Sequence, residues 1–154
     1  RGLGDVYKRQ AHIGEARTLG YAKYGVSGWF TIFLRGVLCN WMVSMGVVGA
    51  MVSSSVSGKV IAMWMPIMLF FFMGFEHSVV NMFLFPFGLI MGGNFSVMDY
   101  LVWNEIPTAL GNLVGGITFT GLTLYATHYK TGAKRSLVAM DNTTVNKSLT
   151  KRIA

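Results

Sequence analysis

Apolar and polar positions are strongly segregated along this chain. Two stretches carry no charge, Gly36 to Val52 and Val60 to Phe75. Each is close to the roughly 17 to 25 residues with which an α-helix crosses the hydrocarbon core of a bilayer. The pattern predicts a first helix over about Gly28 to Ser53, a hydrophilic connector SSSVSGK over Ser53 to Lys59, and a second apolar run from Val60 to Met91. A third helix is expected over about Ile106 to His128, with Pro107 in its first turn, where a missing N–H leaves no bond unmade. Between them, Gly92 to Glu105 reads as a loop with a short amphipathic piece.

The second run is too long for one straight crossing, and its middle carries Gly74, Glu76 and His77, with Pro86 and Gly88 following. An unbroken helix would leave an ionisable pair near the middle of the membrane, where a charge costs roughly 2.5 to 3.5 kcal/mol on insertion scales. A helix interrupted near GFEHS is expected instead, its free backbone lining a cavity and not lipid.

Composition agrees with a lipid-embedded chain. Hydrophobic residues make up 53% and charged residues 12% of the 154 positions, about half the charged share of soluble domains. The net charge of +7 sits mostly towards the two ends. It reads as membrane flanks, and no nucleic-acid partner is expected. The tail from Lys130 carries six bases and only Asp141, so the positive-inside rule places it in the cytoplasm. The acidic 92–105 loop then lies outside, and the connector with Lys59 inside. The N-terminal bases Arg1, Lys8, Arg9, Arg17 and Lys23 contradict that orientation. RGLGDVYKRQ, without hydrophobic period, accordingly reads as a non-native leader. The expected divisions are a leader over 1–10, an extracytoplasmic lead-in over 11–27, a membrane domain over 28–130, and a basic, disordered cytoplasmic tail over 131–154. Arg35 is expected to snorkel to the outer end of the first helix.

Candidate chemistry concentrates in GFEHSVVNMF, which places Glu76, His77 and Asn81 within six positions inside an apolar run. Intramembrane ionisable residues mark solute pathways, and an imidazole titrates near neutral pH when unperturbed. A break beside it exposes half-helix N–H groups whose partial positive charge favours an anion. The competing reading is a structural histidine bonded to a neighbouring helix.

From Ala22 to Tyr129 the chain resembles the C-terminal half, helices four to six of six, of the formate/nitrite transporter family. Three segments in order carry the resemblance: FLRGVLCNWMV at Phe33 to Val43, GFEHSVVNMF at Gly74 to Phe83, and NEIPTALGNLVGG at Asn104 to Gly116. The resemblance implies an all-α membrane protein of three transmembrane segments, the middle one interrupted. Together they would form one half of a six-helix, inverted-repeat, aquaporin-like channel in a homopentamer. It implies a central pore histidine at His77, an asparagine bonding in the same region at Asn112, and a lysine near the external mouth at Lys23. Val43 and Phe70 fall on hydrophobic constrictions. Glu76, Asn40 and Asn81 are read as holding the interrupted loop.

The implied activity is transport of formate, nitrite or a similar small monovalent anion, coupled to a proton, in a bacterial inner membrane. No enzymatic activity and no cofactor are expected. A bare anion faces a large desolvation cost at dry constrictions, so His77 is expected to hand it a proton. Two other readings compete: a haem-binding membrane anchor of a respiratory oxidoreductase, and an inactive truncated fragment, since the first repeat is missing. Haem needs two facing histidines, and of His12, His77 and His128 only His77 is expected to lie deep. The eleven methionines lack a paired cluster and suit lipid or core contact. Cys39 reads as a small buried residue, Gly111, Gly115 and Gly116 as a close-packing stripe, and Trp103, Tyr125 and Tyr129 as interfacial belts.

Overall fold

In the computed structural model of the chain, residues 3–129 are described. The expected basic tail, 131–154, lies outside them. Two compact units are present, Arg1–Thr120 and Gly121–Ala154. Within the second, residues 122–129 are helical and the rings of Tyr125 and Tyr129 stack at 4.9 Å.

The first unit is all-helical among the described residues: α1 Leu3–Arg17, α2 Leu19–Ala22, α3 Val26–Val52, α4 Val56–Phe72, α5 Ser78–Ile90 and α6 Val97–Tyr100. A π-helical turn, Leu101–Glu105, joins α6 to α7, Ile106–Gly115, which passes into a second wide turn, Gly116–Gly121. Two helices are long and apolar enough to cross a membrane, Val26–Val52 and Val97–Tyr129, while Val56–Phe72 and Ser78–Ile90 are shorter apolar helices.

The first predicted helix is α3, beginning two residues earlier than expected. The connector shrinks to a few residues because Ser55 caps α4, its hydroxyl accepting from the Gly58 N–H at 3.1 Å. This stabilises the first turn by satisfying a free donor.

Three departures from the sequence reading stand out. Residues 3–17, given no element there, form a helix that packs on α5, with the Tyr7 and Phe87 rings 6.5 Å apart. The last helix starts at Val97 and not at Ile106, because Ser96 and Asp99 form a reciprocal capping box that fixes a helix start. Arg35, expected near the outer end of the first helix, is engaged by neighbouring segments. Its guanidinium donates to the Tyr21 hydroxyl and reaches the Met73 carbonyl at 3.5 Å. There it caps the C-terminal end of α4, where the helix dipole favours a cation.

Helices α3 and α7 pack backbone to backbone. A Cβ at Gly111 would collide with the Phe33 carbonyl oxygen, one at Gly115 with that of Val37, and one at Gly36 would lie 2.8 Å from that of Thr108. The small-residue stripe is therefore a packing seam at Gly111 and Gly115. Across the unit, Phe85 of α5 stacks on Tyr100 at 4.6 Å and meets Phe95 edge-on at 5.8 Å. That cluster fixes the start of the last helix against α5.

Candidate functional site

The apolar run Val60–Met91 is interrupted, as the buried ionisable pair requires. Helix α4 ends at Phe72 and α5 begins at Ser78. Gly74 turns the chain with φ +65°, a conformation that glycine adopts without a Cβ penalty. His77 follows in extended backbone, φ −122° and ψ 115°, immediately before α5.

One side chain on α7 holds this break. The Asn112 carboxamide oxygen accepts from the Ser78 N–H at 3.0 Å, and its nitrogen donates to the carbonyls of Glu76 at 3.0 Å and Gly36 at 2.9 Å. It thus ties α3, the break and the first turn of α5 together, satisfying groups that a broken helix leaves unpaired. Asn40 on α3 donates in turn to the Asn112 carbonyl at 2.6 Å.

A second network surrounds Glu76, whose side chain is fully buried. One carboxylate oxygen accepts from Asn81 at 2.9 Å and Asn104 at 3.3 Å. Asn81 donates to the Asn104 carboxamide oxygen at 2.7 Å, and Asn104 donates to the Arg17 carbonyl at 3.1 Å. The other Glu76 oxygen pairs with Arg17 Nε at 3.6 Å. Alongside it, Glu105 is buried and accepts from the Ser78 hydroxyl and from the Tyr100 hydroxyl, the latter at 2.7 Å.

The π turn explains how two consecutive polar residues, Asn104 and Glu105, both face inward. The Ile106 N–H donates to the Leu101 carbonyl, one residue further back than in an α-helix, which widens the turn just before Pro107. Such single wide turns occur frequently at functional sites.

A cavity of about 200 Å³ opens beside the break, lined by residues that include Arg17, Phe70, His77, Asn81 and Leu84. The His77 ring lies 5.8 Å from that of Phe70, which is buried. His77 Nδ1 is enclosed with no hydrogen-bond partner. A histidine bonded structurally through Nδ1 to a neighbouring helix is not what this geometry presents.

The structure thus brings His77, Phe70, Asn81, Glu76, Asn112 and Asn40 around one interruption. Lys23 and Val43 do not line this cavity. Lys23 is exposed with its ammonium 5.1 Å from the centre of the Tyr24 ring, and Val43 is half-buried on α3. The sequence reading missed Arg17, Asn104, Glu105 and Tyr100. The adjacent amide and acid of Asn104 and Glu105, just upstream of Pro107, are the available signal for the middle two. Cys39 is buried, and among the described residues no group of His, Cys, Asp and Glu is arranged to hold a metal ion.

Comparison with known proteins gives the same family from three directions. The formate/nitrite transporter family matches residues 3–126. "Formate-nitrite transporter 2" of Toxoplasma gondii is 43% identical over 94 residues, 61% of this chain and 20% of that protein. A Methanothermobacter thermautotrophicus protein named "Probable formate transporter" is 37% identical over 125 residues, 77% of this chain and 45% of that protein. The solved structure of a pentameric formate channel with formate bound superposes with a TM-score of 0.65 at 25% identity, over 82% of this chain and 53% of that one. The chain therefore spans between a fifth and about half of the length of these relatives. With its interrupted helix, long apolar helices and a family match over most of its length, the chain is an integral membrane protein that belongs to the formate/nitrite transporter family.

Proposed function

We propose that this chain supplies three membrane segments, helices four to six of six, of a channel protomer carrying formate, nitrite or a similar small monovalent anion. Five such protomers form the assembled protein, and each completed protomer has its own pore between two inverted three-helix repeats. The carrying observation is the interruption between α4 and α5, which holds the His77 ring against Phe70 at the wall of a cavity. The family match supports the solute class, as does a relative whose solved structure holds formate.

His77 exchanges a proton with the solute. An anion entering the cavity meets the partly positive first turn of α5, takes a proton from or through His77, and passes the dry constrictions of Phe70 and Val43 as a neutral acid. Lys23 concentrates anions at the outer mouth by long-range attraction. Asn112 keeps the break open by bonding its backbone, Asn40 bonds the Asn112 carbonyl in turn, and Asn81 bonds Glu76 beside the break. The protein resides in a bacterial inner membrane with residues 131–154 as a basic cytoplasmic tail.

The test is uptake of formate and nitrite into proteoliposomes by the protein expressed from its complete coding sequence. Uptake by the unsubstituted protein should rise as the external pH falls. His77→Phe should flatten that profile, and an unaltered profile in the variant refutes the role.

A further inference from the structure

Glu76 presents a problem for an anion path. Its carboxylate is fully buried among membrane helices and lies beside Asn81, which lines the same cavity as His77. Asn81 and Asn104 donate hydrogen bonds to it but bring no charge. A negative group at this position repels an entering anion strongly, because low-dielectric surroundings screen it little.

Arg17 answers that problem. Its Nε pairs with the Glu76 oxygen that accepts no hydrogen bond, at 3.6 Å. Its backbone carbonyl is tied to Asn104. Its side chain, 28% exposed, lines the cavity. It is the ion-pair partner of Glu76 among the described residues, and it comes from α1, outside all three segments that carry the family resemblance.

Building on the transport reading, we propose that Arg17 is a specificity-determining residue: held by Glu76 and Asn104 at the wall of the His77 cavity, its guanidinium cancels the buried carboxylate and keeps the path permissive to anions. It acts through Glu76 and not as a group that changes the solute chemically. Guanidinium suits this place because it is more weakly hydrated than ammonium and stays charged when buried.

The test uses the protein from its complete coding sequence, reconstituted in proteoliposomes and planar bilayers. Arg17→Gln leaves Glu76 as an unpaired buried charge and should lower formate uptake about tenfold or more, with a fall in the anion-to-cation permeability ratio read from reversal potentials. Arg17→Lys should retain most uptake. The double variant R17Q/E76Q removes both charges and should recover uptake to within about threefold of the unsubstituted protein. Should R17Q fail to assemble, recovery of assembly and uptake in the double variant supports the pairing. Normal uptake and selectivity in R17Q, or a loss that E76Q does not repair, overturns the inference. Absence of uptake by the unsubstituted protein instead overturns the transport reading on which it rests.

Discussion

Where α4 gives way to α5 the backbone leaves helical geometry for residues 73–77, whereas between α6 and α7 it keeps turning and only widens. The first irregularity is held from outside, by Asn112 on another helix and Arg35 on a third. The second is held largely from within, by the Ile106 bond to Leu101 and the capping box at Ser96 and Asp99. The two meet where Glu105, displaced inward by the wide turn, accepts the hydroxyl of Ser78. An open break thus depends on distant parts of the chain, while a wide turn is a local device that aims side chains at it.

That contrast is sharpest at Asn112. Asn112→Ala strands the Ser78 N–H and leaves the Gly36 and Glu76 carbonyls without this donor. With each buried unsatisfied group costing about 1 to 3 kcal/mol, destabilisation of about 3 kcal/mol or more is expected. Thermal unfolding in detergent measures it, and amide exchange should rise at residues 76–79. Exchange that rises equally over residues 101–105 would erase the distinction between the two irregularities.

A smaller loss, about 2 kcal/mol, is expected for Glu105→Leu, which removes the acceptor of both Ser78 and Tyr100. Glu105→Gln keeps an acceptor oxygen and should lose less than half as much in the same unfolding assay. The smallest effect belongs to Gly74→Ala, about 1 kcal/mol, because only the positive φ is penalised. A Cβ there would lie in ordinary contact, 3.5 Å from the Arg35 guanidinium. A chemical denaturation midpoint resolves a change of that size. A loss rivalling that of Asn112→Ala would mean that the break is shaped by its own turn and not by the groups around it.

The break was legible in the sequence because Glu76 and His77 interrupt a long apolar run, and no unbroken helix accommodates them cheaply in lipid. The wide turn was not. Proline at position 107 is equally compatible with a helix beginning there, and only the three-dimensional bond from Ile106 to Leu101 shows a helix already under way. The sequence alone therefore places Asn104 and Glu105 in a loop, although their inward direction is a result of the extra residue in that turn. Arg17 was missed for a related reason. Counted as one of several N-terminal bases, it looked like a membrane flank, and its pairing with Glu76 depends on α1, a helix whose polar sequence gives little apolar periodicity. Arg35 was legible as a cation in a helix but not in its direction, since neither Tyr21 nor the Met73 carbonyl is near it in sequence.

The glycine contacts between α3 and α7 set a limit on how this protein moves. With Gly111 and Gly115 resting on the carbonyl oxygens of Phe33 and Val37, neither rod can slip by a turn along the other without a larger residue striking main chain. The pair serves as a fixed keel. Any change in the shape of the neighbouring void must then come from side chains turning, and not from one of these two rods sliding past its neighbour.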